Sequence, residues 1–318
     1  LVDAHPHVGS NRLPRAVSRL KAFLEARGAE FRFGAEVSGL AMAGGRVAGV
    51  RLASGETVTA EATVLAVGNH ARALLTKLHE EGVALEGKGL AVGVRVEHPA
   101  ALIDRIQLGS LAGHPACGSA RYAFASESGG RGVYSFCMCP GGYVIPAPPE
   151  EGCLSVNGMS FATRSSRWSN AAVVASISPA DWDASSPLGG VQFLREMERA
   201  TYAAGGGGYK APAQRLVDFL AGSPSTSLPE TSFRPGVLAA DVGSLFPDPV
   251  ATALRDGIVA ADRKLRGYLH HDAVVIAAET LTSSPVRFPR TPEGCSFSHE
   301  GLFPLVDGGG WAGGFPSS

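Results

Sequence analysis

The apolar positions of the chain change period several times, and each change predicts an element. Leu13, Ala16, Val17, Leu20, Phe23 and Leu24 recur at helical spacing, with Pro14 suited to a first turn and Gly28 to a C-terminal cap. Short strands follow at 30–33, 37–43, 46–52 and 57–59, where Gly44-Gly45 and Ser54-Gly55 supply tight hairpin turns. Residues 62–67 (ATVLAV) form a nearly unbroken apolar run that ends at Gly68, the pattern of a buried parallel strand, and a helix is expected over 70–80. Helix, strand, meander, buried strand and glycine is an unusual order for a generic doubly wound domain.

From about 90 to 266 the pattern turns to mixed strands and helices separated by Ser/Gly/Pro loops. Strands are expected at 90–97, 131–137, 143–147 and 173–178, and helices at 190–204, 212–221 and 249–266. The tail returns to the earlier style with apolar runs at 273–278, 285–289 and 302–306. Two segments of one domain therefore read as flanking an inserted one, with boundaries at 1–86, 87–269 and 270–318.

Composition narrows the function classes. With 318 residues, 45% hydrophobic and 18% charged, the chain is rich in core and is not a disordered one. A net charge of -1 lacks the cationic excess that nucleic-acid affinity rests on. No window approaches the roughly 18 apolar residues of a membrane span, so the expected partner is a small-molecule substrate, with neither nucleic acid nor membrane. Five cysteines are too few and odd in number for a disulfide framework, no CxxC or HExxH occurs, and no metal is expected. Reduced thiols point to a cytosolic or organellar compartment. The first residue is Leu1, and both ends read as cut, so targeting is not legible.

Glycine is the outlier, at 41 residues, about twice the usual share. Gly308, Gly310 and Gly313 fit G-x-G-x-x-G after the apolar run 302–306, but no long helix and distant acidic residue follow, as a dinucleotide fingerprint requires. Either these glycines are structural, or they form a turn packed against a flat ligand where a Cβ would clash.

The strand ending in Asp307 before glycines resembles the C-terminal flavin motif of FAD-dependent oxidoreductases. More of the chain agrees: 7–14 (HVGSNRLP), 64–68 (VLAVG), 93–99 (GVRVEHP), 134–142 (YSFCMCPGG), 209–212 (YKAP), 282–287 (TSSPVR) and 302–314. Together these resemble the NAD(P)/FAD-dependent oxidoreductases, specifically FAD-dependent dehydrogenases of a bacterial and plant-plastid type. The resemblance implies an α/β fold, an incomplete Rossmann-like, three-layer FAD/NAD(P)-binding domain split around an inserted α+β substrate domain. It implies FAD as cofactor, with NAD(P)H a candidate electron donor, and redox chemistry carried by the flavin. Cofactor contact is implied for Val37, Ala66, Val67, Gly68, Ser283, Asp307, Gly308, Gly309, Gly310, Ala312 and Gly313, with Asp307 on the ribityl chain. The sequence departs from the family at Gly9-Ser10-Asn11, in place of Gly-Thr-Asp, and at Asp307, in place of Glu. It also lacks the family's N-terminal glycine fingerprint and final helix. The competing expectations are a flavin-binding scaffold or regulatory protein without turnover, a fragment unable to bind FAD, and a module whose glycines are structural.

Three further side chains are chemical candidates. Cys137 and Cys139 sit two apart on an expected strand, which places both with Ser135 on one face, either as thiols near the flavin or as packing. Lys210 follows the glycines 205–208 and is either a partner for an anionic flavin or substrate, or a solvated lysine; Gln214, one turn on, would add a hydrogen bond. The histidines are scattered, and His270 and His271 are expected to point apart. No G-x-S-x-G supports hydrolysis.

Overall fold

The computed structural model describes residues 8–311. Along the chain run α1 (Leu13–Glu25), β1 (Val37–Ala43), β2 (Arg46–Leu52), β3 (Thr57–Thr59), β4 (Thr63–Leu65), α2 (Arg72–Glu80), β5 (Glu86–Gly87) and β6 (Leu90–Pro99). Then come α3 (Ala100–Leu108), β7 (Ala125–Ser128), β8 (Arg131–Cys139), β9 (Tyr143–Pro146), β10 (Val156–Met159) and β11 (Trp168–Ile177). The remainder is α4 (Gly189–Ala204), β12 (Ala211–Arg215), α5 (Leu216–Ala221), β13 (Val237–Ala239), α6 (Asp248–Lys264), β14 (Val274–Glu279), β15 (Val286–Arg287) and β16 (Leu302–Pro304). The chain is thus mixed α/β around one large sheet, and its contacts divide it into two units.

The first unit comprises 8–29, 92–176 and 196–280. Its seven-stranded sheet has the order β13-β12-β14-β6-β11-β8-β7. The antiparallel pair β6 and β14, buried on both faces, runs through its middle, with Val275 opposite Val96 and Ile276 opposite Arg95. The ribbon of β9 and β10 turns Val144 and Val156 into a core shared with Leu154, Phe233, Val274 and Ile276. Helix α6 lies against β7 and β8, an approach that Gly257 permits, because a Cβ there would press on Val133.

The second unit comprises 30–91, 177–195 and 281–311. Its meander β1-β2-β3 turns at Gly44-Gly45, where both φ values are positive as such a hairpin requires. Glu81, just past α2, accepts the Leu40 N–H at 2.9 Å and pairs with Arg51, which ties the meander to the helix. Strands β4 and β16 pair in parallel, and Leu65, Leu75, Leu78, Val191, Phe288 and Leu302 form the core beside them.

Several expectations change. Residues 30–33 form no strand: Phe33 is 81% exposed, and among the described residues no strand pairs with the segment. Residues 212–221 are not one helix. Pro212 stands in β12, whose Ala213, Gln214 and Arg215 pair with Ile276, Val275 and Val274, so ladder pairing overrides the helical signal and α5 starts only at Leu216. The run 62–67 is parallel as expected but only β4 is strand, and Val64 is 57% exposed, because among the described residues the pair β4–β16 has no further strand. Helix α1 forms with its proline in the first turn yet buries no residue.

Gly93 on β6 marks the tightest point of the large sheet. A Cβ there would fall well inside contact with the Val173 carbonyl and Val174 Cα on β11. Gly93→Ala is expected to cost about 1–3 kcal/mol of unfolding free energy as an overpacked site. Urea denaturation followed by circular dichroism measures it; an unchanged midpoint would refute the close approach.

Candidate functional site

In parallel sheets ligands gather at the carboxyl ends of strands. The carboxyl ends of β4 and β16 carry the chain into 66–70 and 305–310, and the second unit assembles its polar groups there. Val306 has φ +51, an outlier for a β-branched residue, and it presents Asp307. The Asp307 carboxylate is half-buried and accepts the Ser284 N–H at Oδ1 (3.2 Å). Oδ2 receives no hydrogen bond among the described residues, which leaves it as an open acceptor. Burial pushes the Asp307 carboxyl up, opposed by that N–H and by the charges of Lys88 and His70. Burial lowers Lys88 in turn, with Asp307 acting against it and Arg287 with it.

The segment 281–285 is fixed at almost every residue. Asn69 Nδ2 donates to the Leu281 carbonyl (3.3 Å), Thr282 Oγ1 to that of Ala91 (2.7 Å), and Ser284 Oγ to that of Val286 (2.9 Å). Lys88 N–H closes the set on the Pro285 carbonyl (2.8 Å). A backbone donor held this firmly loses little entropy when a ligand arrives.

The terminal glycines are placed differently from the flat-ligand wall expected of them. A Cβ at Gly308 would lie 2.7 Å from the backbone N and O of Gly68, one at Gly309 2.9–3.0 Å from Leu305, and one at Gly310 inside the Val286 carbonyl. The N–H groups of Gly309 and Gly310 already donate to Leu305 and Asp307 carbonyls. Protein backbone therefore fills the space that the missing side chains leave, and these two amides are not available as a phosphate cradle. The structure brings together Val67, Gly68, Asp307 and Gly308–Gly310, with Ser283 beside the bonded Ser284. Ala66 is exposed after β4, and Val37 stands at the first position of β1 opposite Leu52. Ala312 and Gly313 lie outside the described residues. Lys88, Asn69 and Ser284 escaped sequence reading; only the polar run 282–284 after a buried strand signalled any of them.

The remaining candidates lie in the first unit. Cys137 and Cys139 do not share a face: Cys137 has φ +44, the ladder slips between Asn170 and Ala172, and Cys137 is exposed while Cys139 is buried. The bulge breaks the period-two alternation that the expectation relied on. Burial raises both thiols against the pull of Arg95, so neither is an activated thiolate. Lys210 is exposed, its stem running past Gly236. Gln214 sits on β12 and not on a helix, and both ends of its amide are consumed, by the Ser223 carbonyl (2.7 Å) and the Val242 N–H (3.1 Å). His270 and His271 do not point apart: their rings stack at 4.2 Å, and with Asp272 their ligating atoms lie within 4.8 Å of one another. The tight turn before β14 overrides simple alternation here, and the Asp272 N–H occupies His270 Nδ1.

The same unit buries neighbouring acid and base groups on β6. Arg95 is fully buried and donates to Glu279 (2.6 Å), Asn157 (2.8 Å), Asn170 (3.2 Å) and the Cys137 carbonyl (2.9 Å). Glu97 accepts the Ser232 N–H (2.8 Å) and hydroxyl, yet burial outweighs both bonds and pushes its carboxyl up to about 7. Burial pushes His98 down to about 4, against its bond to the Tyr268 carbonyl (2.8 Å).

Residues 89–282 match the family described as FAD-dependent protein, C-terminal domain-like, and residues 6–159 match that described as FAD dependent oxidoreductase. An uncharacterized protein of Clostridium beijerinckii is 38% identical over 320 residues, which covers 99% of this chain and 60% of that protein. A D-amino acid dehydrogenase of a Methylobacterium species is 48% identical over 60 residues, 19% of this chain and 14% of that enzyme. The chain thus spans about three fifths of the length of the first of these relatives and a small part of the second.

The two β6 groups give stability opposite slopes with pH. Glu97, raised in the fold, holds a proton that the unfolded chain releases above about 4.5, so its contribution falls as pH rises toward 7. His98, lowered in the fold, stays neutral where the unfolded chain is protonated, so its contribution is lost as pH falls from 6.5 toward 4. Between pH 4.5 and 6.5 the two nearly cancel. Glu97→Gln is expected to remove one slope, so that the variant gains about 2–3 kcal/mol on the wild type as pH rises through that window. Urea denaturation at three pH values reads the difference; parallel stability curves would overturn the assignment.

Proposed function

The chain belongs to the family of FAD-dependent proteins, and from that premise we propose that it acts as a FAD-dependent oxidoreductase on a small-molecule substrate, with the second unit contributing to the flavin site. The observation that carries this reading is Asp307: a half-buried carboxylate with one open oxygen, presented by a strained residue at the carboxyl ends of a parallel pair. An open carboxylate acceptor suits the hydroxyl donors of a ribityl chain, so the residues present fit the cofactor at this point. FAD, when bound, supplies the hydride or electron chemistry. The chain's own residues bind and orient. Asp307 would accept a hydrogen bond from a hydroxyl at Oδ2, while Ser284 holds the carboxylate through Oδ1 and Lys88 balances its charge. The likeness to D-amino acid dehydrogenase supports a dehydrogenase reaction, and NAD(P)H is the proposed donor of electrons.

In this reading the second unit is the flavin-binding part of a split domain, and the first unit is the inserted substrate domain. Lys210 and Cys137, both exposed in the first unit, are the proposed substrate-side groups, and Cys139 supports Cys137 by donating to its carbonyl (3.4 Å).

Asp307→Ala in the full-length protein is expected to weaken FAD binding about tenfold or more, the worth of one hydrogen bond to a charged group. Asp307→Glu, which keeps the charge, is expected to retain it. Flavin fluorescence titration measures affinity, and reduction of the visible flavin band by NADH or NADPH tests turnover. Equal affinity in wild type and Asp307→Ala would remove the site. Bound flavin that no nucleotide reduces would leave a binding protein in place of an NAD(P)H-linked enzyme.

A further inference from the structure

A cleft of about 350 Å3 opens in the first unit between the β9–β10 ribbon and residues 232–235, within the usual size of small-ligand sites. We propose that it is a binding site for an apolar monocarboxylate, aromatic or branched at its apolar end. The site belongs to the first unit alone and does not depend on the flavin assignment.

The ribbon explains the apolar wall. Because Val144 and Val156 turn into the core, Tyr143, Ile145 and Met159 present the opposite face and line the cleft. Phe161 joins them, its ring 5.5 Å from that of Tyr143 at 50°. Tyr143, Ile145 and Met159 are each only half-buried, so the wall keeps apolar surface open to the cleft.

The polar groups are arranged to take a charge at one end only. Ser232 lines the cleft, but its hydroxyl donates to Glu97 and accepts the Val144 N–H (2.7 Å), and its own N–H donates to Glu97 (2.8 Å). It has no donor left for a ligand, so the Ser232 side of the cleft suits an apolar group. Arg234 also lines the cleft, is exposed, and has no hydrogen bond or ion pair among the described residues. The nearby Glu230 is committed to Arg167. An unpaired guanidinium offers two parallel N–H groups that match one carboxylate. No acidic side chain lines the cleft, so an ammonium would find no counter-charge. One cation with an apolar wall thus selects a monoanion with an apolar tail over an amine, a sugar or a phosphate, which needs several donors.

The test uses the full chain and 3-phenylpropionate as probe, with its uncharged amide as control, by isothermal titration calorimetry. The acid is expected to bind at least tenfold more tightly than the amide. Arg234→Gln, an exposed substitution that leaves the core untouched, is expected to erase that preference. Ile145→Glu, which puts a carboxylate into the wall, is expected to weaken the acid at least tenfold while circular dichroism stays native. Equal affinity for acid and amide, an undiminished preference in Arg234→Gln, or no binding of the acid at millimolar concentration would each overturn the proposal. Flavin content, measured on the same samples, reports separately on the function proposed above.

Discussion

A single guanidinium, that of Arg95, organises the first unit. It lies on the central strand β6, fully buried, and its donors reach β14 through Glu279, β10 through Asn157, β11 through Asn170 and β8 through the Cys137 carbonyl. A buried cation costs several kcal/mol unless its hydrogen bonds are met, so each partner has to stay where it is. Burial pushes the Glu279 carboxyl up and Arg95 pulls it back, while burial opposes the Arg95 charge and Glu279, with Cys139 and Cys137, restores it. The consequences spread along the backbone. A Cβ at Gly158 would meet Arg95, Asn170 and Cys139 together, and the bulge at Cys137 turns its carbonyl to the guanidinium. Thr280, next after Glu279, bonds Ser155 (2.9 Å) and Glu198 (2.6 Å).

The two units use buried polarity for different ends. In the first, the buried charges are matched: Arg95 spends its donors on Glu279, Asn157, Asn170 and the Cys137 carbonyl, and Glu97 accepts from Ser232, which makes a rigid frame. In the second, the Asp307 carboxylate is half-buried, with one oxygen bonded to the Ser284 N–H and the other open, and Val306 with its positive φ holds it in place.

Sequence period carried much of this. The meander strands β1, β2 and β3 and the ends of α4 and α6 lie within a residue or two of where spacing and turn residues put them, because local hydrogen bonds decide hairpins and helix caps. Elements decided by distant partners were less legible. β12 looks helical until β13 and β14 pair with it, and 30–33 looks like a strand that finds no neighbour. The site shows the same split. Asp307 was singled out by the resemblance of its motif, Ser284 only by the polar run 282–284, whereas Lys88 and Asn69 are polar residues in loops that nothing local distinguishes from solvated ones. Arg95 and Glu279 were opaque for a further reason: charge in an apolar strand is a signal only once the partner, 184 residues away, is known.

The glycine excess illustrates how far composition can be read as chemistry. Gly93 lets β6 approach β11, Gly257 lets α6 approach β8, Gly308 lies against Gly68, and Gly310 lies against Val286 and Arg287. At each, the constraint is one stretch of protein backbone against another. A glycine placed for a ligand would instead show open space in its Cβ direction, and none of these four does. The glycines therefore act on the site indirectly. By letting the chain after β16 close tightly on the chain after β4, they set where the Asp307 carboxylate sits.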